Sequence, residues 1–287
     1  MSKPHTVKRV YPTLLEKIQR KLSGYPKRLT VLVAMLVGGV SVALHVNDQA
    51  PRLNKYEHAQ KATVLLQTEH GYGSGFVVRR GEKLFVWTAA HVTEKVNTLQ
   101  VHQVIRHGNH KVGLSTFRAT VIARDETLDL ALLSLDAPPS YFTSVHFSRL
   151  PALPVGTAVY HVGNFSGPQF DGSVSTGIVS QIGVTIAGTL WSVLDQMTTP
   201  AFPGSSGGPV FTGDGEVVGV LVGGVSPVLD FFVPVRAMWL FAETQNVRFA
   251  LDWEHTPTEA QLKVLTARAE YREPVLTEEP KTSTICQ

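Results

Sequence analysis

The sequence predicts an all-β protein, built as a barrel or a sandwich rather than from βαβ units. Short runs rich in β-branched and aromatic residues recur along the chain, and glycine, proline and charged residues separate them. These runs cover residues 63–66, 75–78, 84–87, 155–162 and 217–222. With 287 residues, 43% hydrophobic and 17% charged, the chain is long and apolar enough to bury a sizeable core.

The apolar segment 29–46 predicts a transmembrane helix that acts as a signal anchor. Basic residues crowd the preceding tail, 1–28, so the positive-inside rule predicts a cytoplasmic N-terminus. The rest of the chain would then lie on the exported, periplasmic or extracytoplasmic side, after a polar linker over 47–57. Two alternatives stay open, because Ser41–Ala43 resembles a signal-peptide cleavage site and an apolar run also suits a buried core helix.

Composition excludes several other classes of function. The net charge of +3 comes from the basic tail, so the main body has no basic stripe and we expect no nucleic-acid binding. The single cysteine, Cys286, leaves neither an intramolecular disulfide nor a thiol nucleophile. His102, His107 and His110 lack cysteine or carboxylate partners at ligand spacing, so we interpret them as solvated loop residues. We therefore expect no metal and no cofactor.

Three segments carry the residue types of a Ser-His-Asp hydrolase. The segment Gly204–Pro209 reads GSSGGP, and a serine between glycines on a tight turn exposes its hydroxyl. That hydroxyl needs an imidazole to take its proton, and the imidazole needs a buried carboxylate to hold its tautomer. We predict Ser206 as nucleophile, His91 as base and Asp129, which lies in an apolar run, as the orienting carboxylate.

The order of these residues narrows the class of enzyme. Chymotrypsin-like enzymes run His, Asp, Ser, whereas subtilisin-like enzymes and α/β-hydrolases have other orders. Asp125 and Asp136 are rival carboxylates at the edges of the apolar run, in turn-like contexts. The oxyanion of the reaction needs main-chain donors, for which we predict the N–H groups of Gly204 and Ser206.

Further motifs make the chain resemble the trypsin-like serine proteases, and specifically their HtrA (Deg) branch. The motifs occur in family order and are Gly73–Val78, Val162–Asn164, Ser175–Ser180, Gly215–Val220 and Phe232–Val235. Two departures stand out. Ser205 replaces the usual asparagine before the nucleophile, and Met197–Phe202 replaces a stretch that usually reads TDAAIN.

The resemblance implies a chymotrypsin-like fold of two six-stranded antiparallel β-barrels, with the active site in the cleft between them. His91 and Asp129 would lie in the first barrel and Ser206 in the second. We expect the protease domain to span 58–250, with a closing helix over 237–246, and a helical or disordered tail over 251–287. The tail is too short for the PDZ domain usual in this branch, and a homo-oligomer is possible.

The resemblance also indicates the substrate-binding residues, namely Pro200, Val222, Gly223 and Gly224. No carboxylate stands among the segments that form this pocket, so we expect an apolar pocket for aliphatic or small P1 side chains. The main chain of Val222–Gly224 could pair with an extended substrate. We expect His161 to be a wall residue, and we assign Ser205 no proton transfer.

The leading hypothesis is a membrane-anchored serine endopeptidase that cleaves exported or misfolded polypeptides through an acyl-enzyme. Two alternatives stay open. One is a binding or chaperone-like module that keeps the protease fold, and the other is a self-processing protease of the viral type.

Overall fold

The first strands of the chain lie inside the segment 29–46, for which the sequence predicted a helix. The computed structural model describes residues 31–34, 41–44, 54–107, 110–184, 193–226 and 228–251. Strands β1 (Val31–Ala34) and β2 (Ser41–Leu44) pair in antiparallel register, with Val31 opposite Leu44. The predicted helix is wrong at these residues, and the other residues of 29–46 lie outside the described ones.

The valines of this segment explain the difference. Val31, Val33 and Val42 are β-branched, which lowers helix propensity and suits an extended backbone. An apolar run alone does not separate a strand from a helix. Across the parts of the chain that the structure describes, we find no helix long and apolar enough to cross a bilayer. The predicted basic tail 1–28 and most of the predicted tail 251–287 lie outside the described residues.

Two closed barrels of six antiparallel strands form a second unit of the chain, which begins after Arg52. The first contains β3 (Thr63–Thr68), β4 (Gly71–Arg80), β5 (Lys83–Thr88), β6 (Thr98–His107), β7 (His110–Asp125) and β8 (Leu130–Asp136). The second contains β9 (Ala158–Phe165), β10 (Phe170–Val184), β11 (Leu194–Met197), β12 (Pro209–Thr212), β13 (Val217–Ser226) and β14 (Leu229–Pro234). The fold predicted for the protease domain is therefore confirmed.

Each barrel closes where the two strands at the ends of its strand order pair with each other. The first has the order β3-β4-β5-β8-β7-β6, and its ends meet where Leu66 lies opposite Val101. The second has the order β10-β11-β14-β13-β12-β9, and β9 closes it against β10. Closed barrels leave no exposed sheet edge, so each barrel supplies a rigid frame for the loops at its rim.

The buried apolar side chains of the described residues form three cores. One core fills the first barrel and another the second, as Val64 and Val210 illustrate. A third core, which includes Trp87, Phe147 and Phe211, contains residues of both barrels. Because this shared core buries large aromatic side chains, it holds the two barrels against each other and fixes the cleft between their loops.

Two helices flank the barrels. Helix α1 (Lys55–Ala62) begins inside the predicted linker 47–57, and Asn54 caps it. The Asn54 side chain accepts from Glu57 N at 2.9 Å, and the Glu57 side chain accepts from Asn54 N at 3.2 Å. This capping box is visible in the sequence and was the missed signal for the helix. Helix α2 (Val235–Thr244) confirms the predicted closing helix and starts slightly earlier than expected.

Candidate active site

The loop that carries Ser206 is a tight turn held by its own hydrogen bonds. Ser205 N donates to Phe202 O at 2.9 Å, and Phe202 N donates to Ser205 Oγ at 3.0 Å. Gly208 N donates to Ser205 O, so the turn continues past the nucleophile position. Ser205 is fully buried, and its hydroxyl is used as a hydrogen-bond acceptor within this turn. The departure from the usual asparagine thus has a structural role, as a side-chain acceptor inside the loop.

A second set of contacts ties this loop to the first barrel through Ser74. Ser74 Oγ donates to Gly204 O at 2.7 Å and accepts from Asn164 N at 2.9 Å, while Ser74 N donates to Ser206 O at 2.8 Å. Thr88 Oγ1 in turn donates to Ser74 O. These contacts join strand β4 to both sides of the nucleophile position. The two barrels therefore fix the loop together.

His91 and Asp129 form a hydrogen-bonded pair at the rim of the first barrel. His91 lies in a short 3-10 helix, Ala90–Thr93, and Asp129 lies in the turn before β8 with a left-handed backbone (φ 51°). Asp129 Oδ2 is 2.8 Å from His91 Nδ1, and Asp129 Oδ1 accepts from His91 N at 2.9 Å. Asp129 is 2% exposed whereas His91 is 39% exposed. The carboxylate therefore holds the ring by two contacts and leaves its far edge toward the cleft.

The two rival carboxylates have other positions. Asp125 Oδ1 accepts from Thr127 N and Leu128 N, so Asp125 closes the turn that precedes Asp129. Asp136 is exposed at the end of β8. Both carboxylates thus occupy the turn-like contexts that the sequence indicated, and His91 pairs with Asp129.

His91, Gly204 and Ser206 line one open pocket of about 350 Å³, together with residues of the β3–β4 turn. Ser206 Oγ donates to Val222 O at 3.2 Å in this structure. The structure therefore brings His91, Gly204 and Ser206 to one cleft, and Asp129 contacts His91 from the buried side. The hydroxyl contact with Val222 O also places β13 beside the nucleophile position.

The peptide between Pro203 and Gly204 has a fixed orientation. Pro203 O accepts from Ser166 N at 2.8 Å, and the peptide is trans, so the Gly204 N–H points the opposite way. Gly204 has φ +95°, and a Cβ there would lie 2.4 Å from Asn164 O. Within the described residues, neither Gly204 N nor Ser206 N donates to another protein group. Both predicted oxyanion donors are thus left for an outside acceptor.

The predicted substrate-binding residues lie on two segments. Pro200 O accepts from Ser175 Oγ at 2.8 Å, which joins the segment before the nucleophile to β10. Val222 is buried on β13, and Gly223 and Gly224 continue that strand opposite Phe231 and Asp230.

The structure adds a carboxylate to this region that the predicted pocket segments do not contain. Asp230 lies on β14 directly opposite Gly224, and a Cβ on Gly224 would lie 2.1 Å from Asp230 Oδ1. Asp230 is 2% exposed and accepts a main-chain hydrogen bond from Ala201. Burial raises the pKa of Asp230 to about 6, and the hydrogen bond from Ala201 opposes that rise. No signal in the primary sequence identified Asp230, because the strand register creates the contact.

The remaining histidines divide into wall and core positions. His102 lies on β6 with 8% exposure and contacts Thr116 Oγ1 and Gln67 Oε1, so its interpretation as a solvated loop residue is wrong. Burial lowers its pKa. His161 lies fully buried on β9 beneath the nucleophile loop, with Nδ1 3.0 Å from Pro209 O. Burial lowers the pKa of His161 to about 4, so His161 is neutral in the wall of the barrel.

Ser74 and Asn164 are positioning residues to which the sequence reasoning gave no role. Asn164 Nδ2 donates to Val64 O at 2.8 Å, and Asn164 Oδ1 accepts from Gly172 N at 3.0 Å. Ser74 belongs to the motif Gly73–Val78 and Asn164 to the motif Val162–Asn164. The sequence therefore revealed both motifs but not the hydrogen bonds that these two residues form. A buried serine and a buried asparagine in barrel strands need internal partners, and here those partners include the active-site loop.

Comparison with known proteins identifies the family of this fold. Residues 73–220 match the profile of the trypsin-like peptidase domain. The chain is 29% identical to Protease Do-like 1, chloroplastic, of Arabidopsis thaliana over 64% of its own length and 41% of that protein. It is 34% identical to a probable periplasmic serine endoprotease, DegP-like, of Brucella suis over 54% of its own length and 28% of that protein. The chain thus spans less than half the length of these curated relatives.

Solved structures support the same fold. Deg5 matches with a TM-score of 0.55 and 20% identity, over 69% of this chain and 95% of that one. The serine endoprotease from Yersinia pestis matches with a TM-score of 0.54 and 20% identity, over 68% of this chain and 65% of that one. The resemblance to trypsin-like proteases, with relatives in the HtrA/Deg group, is confirmed, and the chain belongs to the trypsin-like peptidase family.

Proposed function

We propose that the protein is a serine endopeptidase that works through an acyl-enzyme. One observation carries the proposal: Ser206 and His91 line the same pocket, and Asp129 holds the His91 ring from behind. The names of the relatives, which are proteases and serine endoproteases, support the same activity. The order and spacing of the three residues agree with the chymotrypsin-like arrangement.

In this mechanism His91 Nε2 takes the proton of Ser206. The contact between Asp129 Oδ2 and His91 Nδ1 favours the tautomer in which Nδ1 carries the hydrogen and Nε2 accepts. Ser206 Oγ must first exchange its contact with Val222 O for one with His91. Oγ then attacks the peptide carbonyl carbon, and His91 returns the proton to the leaving amine.

The N–H groups of Gly204 and Ser206 would stabilise the oxyanion. The contact between Ser166 N and Pro203 O supports this role, because it turns the Gly204 N–H away from the protein acceptors. Ser74 and Asn164 hold the loop in that shape before substrate binds. Preorganised donors of this kind contribute about 2.7 to 4 kcal/mol each to transition-state stabilisation.

The substrate would be a polypeptide bound in extended form beside β13. Val222–Gly224 could pair with its main chain, and Pro200 would line the pocket for the P1 side chain. The Brucella relative is named a periplasmic endoprotease, so we infer that exported proteins are the substrates of this chain also. The protease domain would span 58–250, a range that begins inside helix α1.

A probe that reacts only with an activated serine tests the proposal directly. A fluorophosphonate should label the full-length protein, and Ser206→Ala should abolish the labelling. Ser140→Ala is the matched control, because Ser140 is exposed on the first barrel far from the nucleophile in sequence, and it should label as the wild type does. Labelling that persists in Ser206→Ala, or wild-type protein that is neither labelled nor able to cleave casein, would refute the proposal.

We also infer that residues 29–46 attach the chain to a membrane, with the N-terminus cytoplasmic and the protease domain exported. The support is the apolar run with its preceding basic residues. The full-length chain should therefore stay with membranes after alkaline carbonate extraction, and a variant with two lysines at positions 36 and 37 should be released. Full release of the wild-type chain would contradict the anchor.

A further inference from the structure

Asp230 is a buried carboxylate with unused hydrogen-bonding capacity. Its Oδ2 has no hydrogen-bond partner within the described residues, and the residue is 2% exposed. Within the described part of the chain, the main-chain hydrogen bond from Ala201 is the contact that opposes the cost of burial. Among the residues that the structure describes, no basic side chain forms an ion pair with it. A buried carboxylate in this condition is costly unless a partner arrives from outside.

The position of Asp230 in the strand register shows where such a partner would come from. Asp230 lies opposite Gly224 on one side and opposite Met197 on the other, so β14 places it between β13 and β11. Ala201, whose N–H it accepts, belongs to the segment that leads into the nucleophile loop. The carboxylate therefore lies between the two segments that flank the predicted P1 pocket.

The neighbouring wall has no side chains that would block an approach to this carboxylate. Gly223 and Gly224 form the wall of β13 next to Asp230, and a Cβ on Gly224 would clash with Asp230 Oδ1. Gly224 and Val225 are exposed, and Val225 is 66% exposed. This exposed end of β13 is the side from which a long substrate side chain would approach Asp230.

We propose that Asp230 selects substrates with lysine or arginine at P1. The inference rests on the proposed function and specifies its substrate class. A P1 ammonium or guanidinium group would satisfy Asp230 Oδ2 and neutralise the buried charge, which aliphatic side chains cannot do. This replaces the expectation of an apolar pocket for aliphatic or small P1 residues, which was drawn from Pro200 and Val222 without Asp230.

Peptide substrates that differ only at P1 test this selection. With the full-length protein, kcat/KM should be at least tenfold higher for P1 lysine or arginine than for P1 valine or leucine. Asp230→Asn keeps the shape and removes the charge, so the ratio of basic to aliphatic kcat/KM should fall at least tenfold. Asp214→Asn is the matched control, because Asp214 is exposed in the β12–β13 turn, and its ratio should equal that of the wild type. An aliphatic preference, or an equal ratio in the wild type and Asp230→Asn, would overturn the proposal.

A binding experiment separates failure of this inference from failure of the proposed function. Benzamidine is a flat cation that enters a P1 pocket and needs no nucleophile, so it can be tested on Ser206→Ala protein. At ten times its Kd it should raise the Tm by about 3 °C or more, and Asp230→Asn should abolish the rise. A Tm rise in Ser206→Ala, together with wild-type protein that neither cleaves peptides nor reacts with the fluorophosphonate, would keep the pocket and reject the protease. No Asp230-dependent rise would reject the pocket whatever the activity.

Discussion

Asp129 and Asp230 are both aspartates with 2% exposure. They differ in the groups that donate hydrogen bonds to their carboxylate oxygens. Asp129, in the first barrel, uses both oxygens on His91. Asp230, in the second barrel, accepts from Ala201 and leaves Oδ2 without a partner among the described residues. The comparison teaches that burial alone does not define a carboxylate's role. A buried carboxylate with partners for both oxygens can orient the neighbouring side chain that supplies them. A buried carboxylate with one unpartnered oxygen can instead bind a ligand.

The largest expected effect comes from removing the charge of Asp129. Asp129→Asn keeps the size of the side chain but lets its amide favour the wrong His91 tautomer, so kcat should fall by about 10⁴. The measurement is kcat on the best peptide substrate, together with the free energy of unfolding to show that the fold persists.

Asp125→Asn is the control for that variant. Asp125 uses Oδ1 to accept from Thr127 N and Leu128 N, and an asparagine keeps that oxygen. Its kcat should therefore stay within a fewfold of the wild type. A larger loss from Asp125→Asn than from Asp129→Asn would mean that the contact with His91 is not the one that matters for the reaction.

His161 is a third buried titratable residue to compare with Asp129 and Asp230. Like Asp230 it has an unpartnered atom, but that atom faces the protein interior and not a substrate pocket. Its Nε2 lacks a partner within the described residues, and a Cβ on Gly163 would lie 2.4 Å from it. The pKa of about 4 in the folded protein is below the ordinary value of 6.5. The folded state therefore binds fewer protons than the unfolded state between these values, and stability is full above pH 6.5 and falls as the pH drops toward 4.

We expect that loss to be about 3 kcal/mol between pH 7 and pH 4 for His161. His161→Gln and His161→Leu do not titrate, so their free energies of unfolding should depend less on pH over this range by that amount. Chemical denaturation at several pH values provides the measurement. An unchanged pH dependence in both variants would show that water or a rearrangement already satisfies His161 in the fold.

The sequence predicted the parts of this molecule that local patterns encode. The alternating runs identified the barrel strands, and the motifs around His91 and Ser206 indicated one site because hydrolase chemistry needs those groups together. It did not reveal Asp230, whose position depends on the pairing of Gly224 with β14. The role of Ser74 depends likewise on contact between barrels. Strand register and barrel docking are set by long-range packing, which a local pattern does not record.

A further expected effect on stability comes from the charge of Asp230 in the absence of ligand. Burial raises its pKa from 3.8 to about 6, so the folded state holds the proton over a range in which the unfolded state has lost it. The cost of the buried charge is absent below pH 3.8, grows as the pH rises through 6 and is complete above it. Asp230→Asn should therefore stabilise the fold at pH 8 by at most about 3 kcal/mol and have little effect at pH 4.

The same stability experiment with benzamidine present tests whether a ligand can bind the unpartnered oxygen of Asp230. If it occupies the place that Oδ2 leaves open, its presence at pH 8 should remove most of the advantage of Asp230→Asn, because the cation completes the wild-type carboxylate. Asp214→Asn, an exposed charge change in the same barrel, should change the free energy of unfolding by less than about 0.5 kcal/mol at either pH. Destabilisation by Asp230→Asn at pH 8 would mean that the carboxylate already has an internal partner, as Asp129 does, and that the difference between the two does not exist.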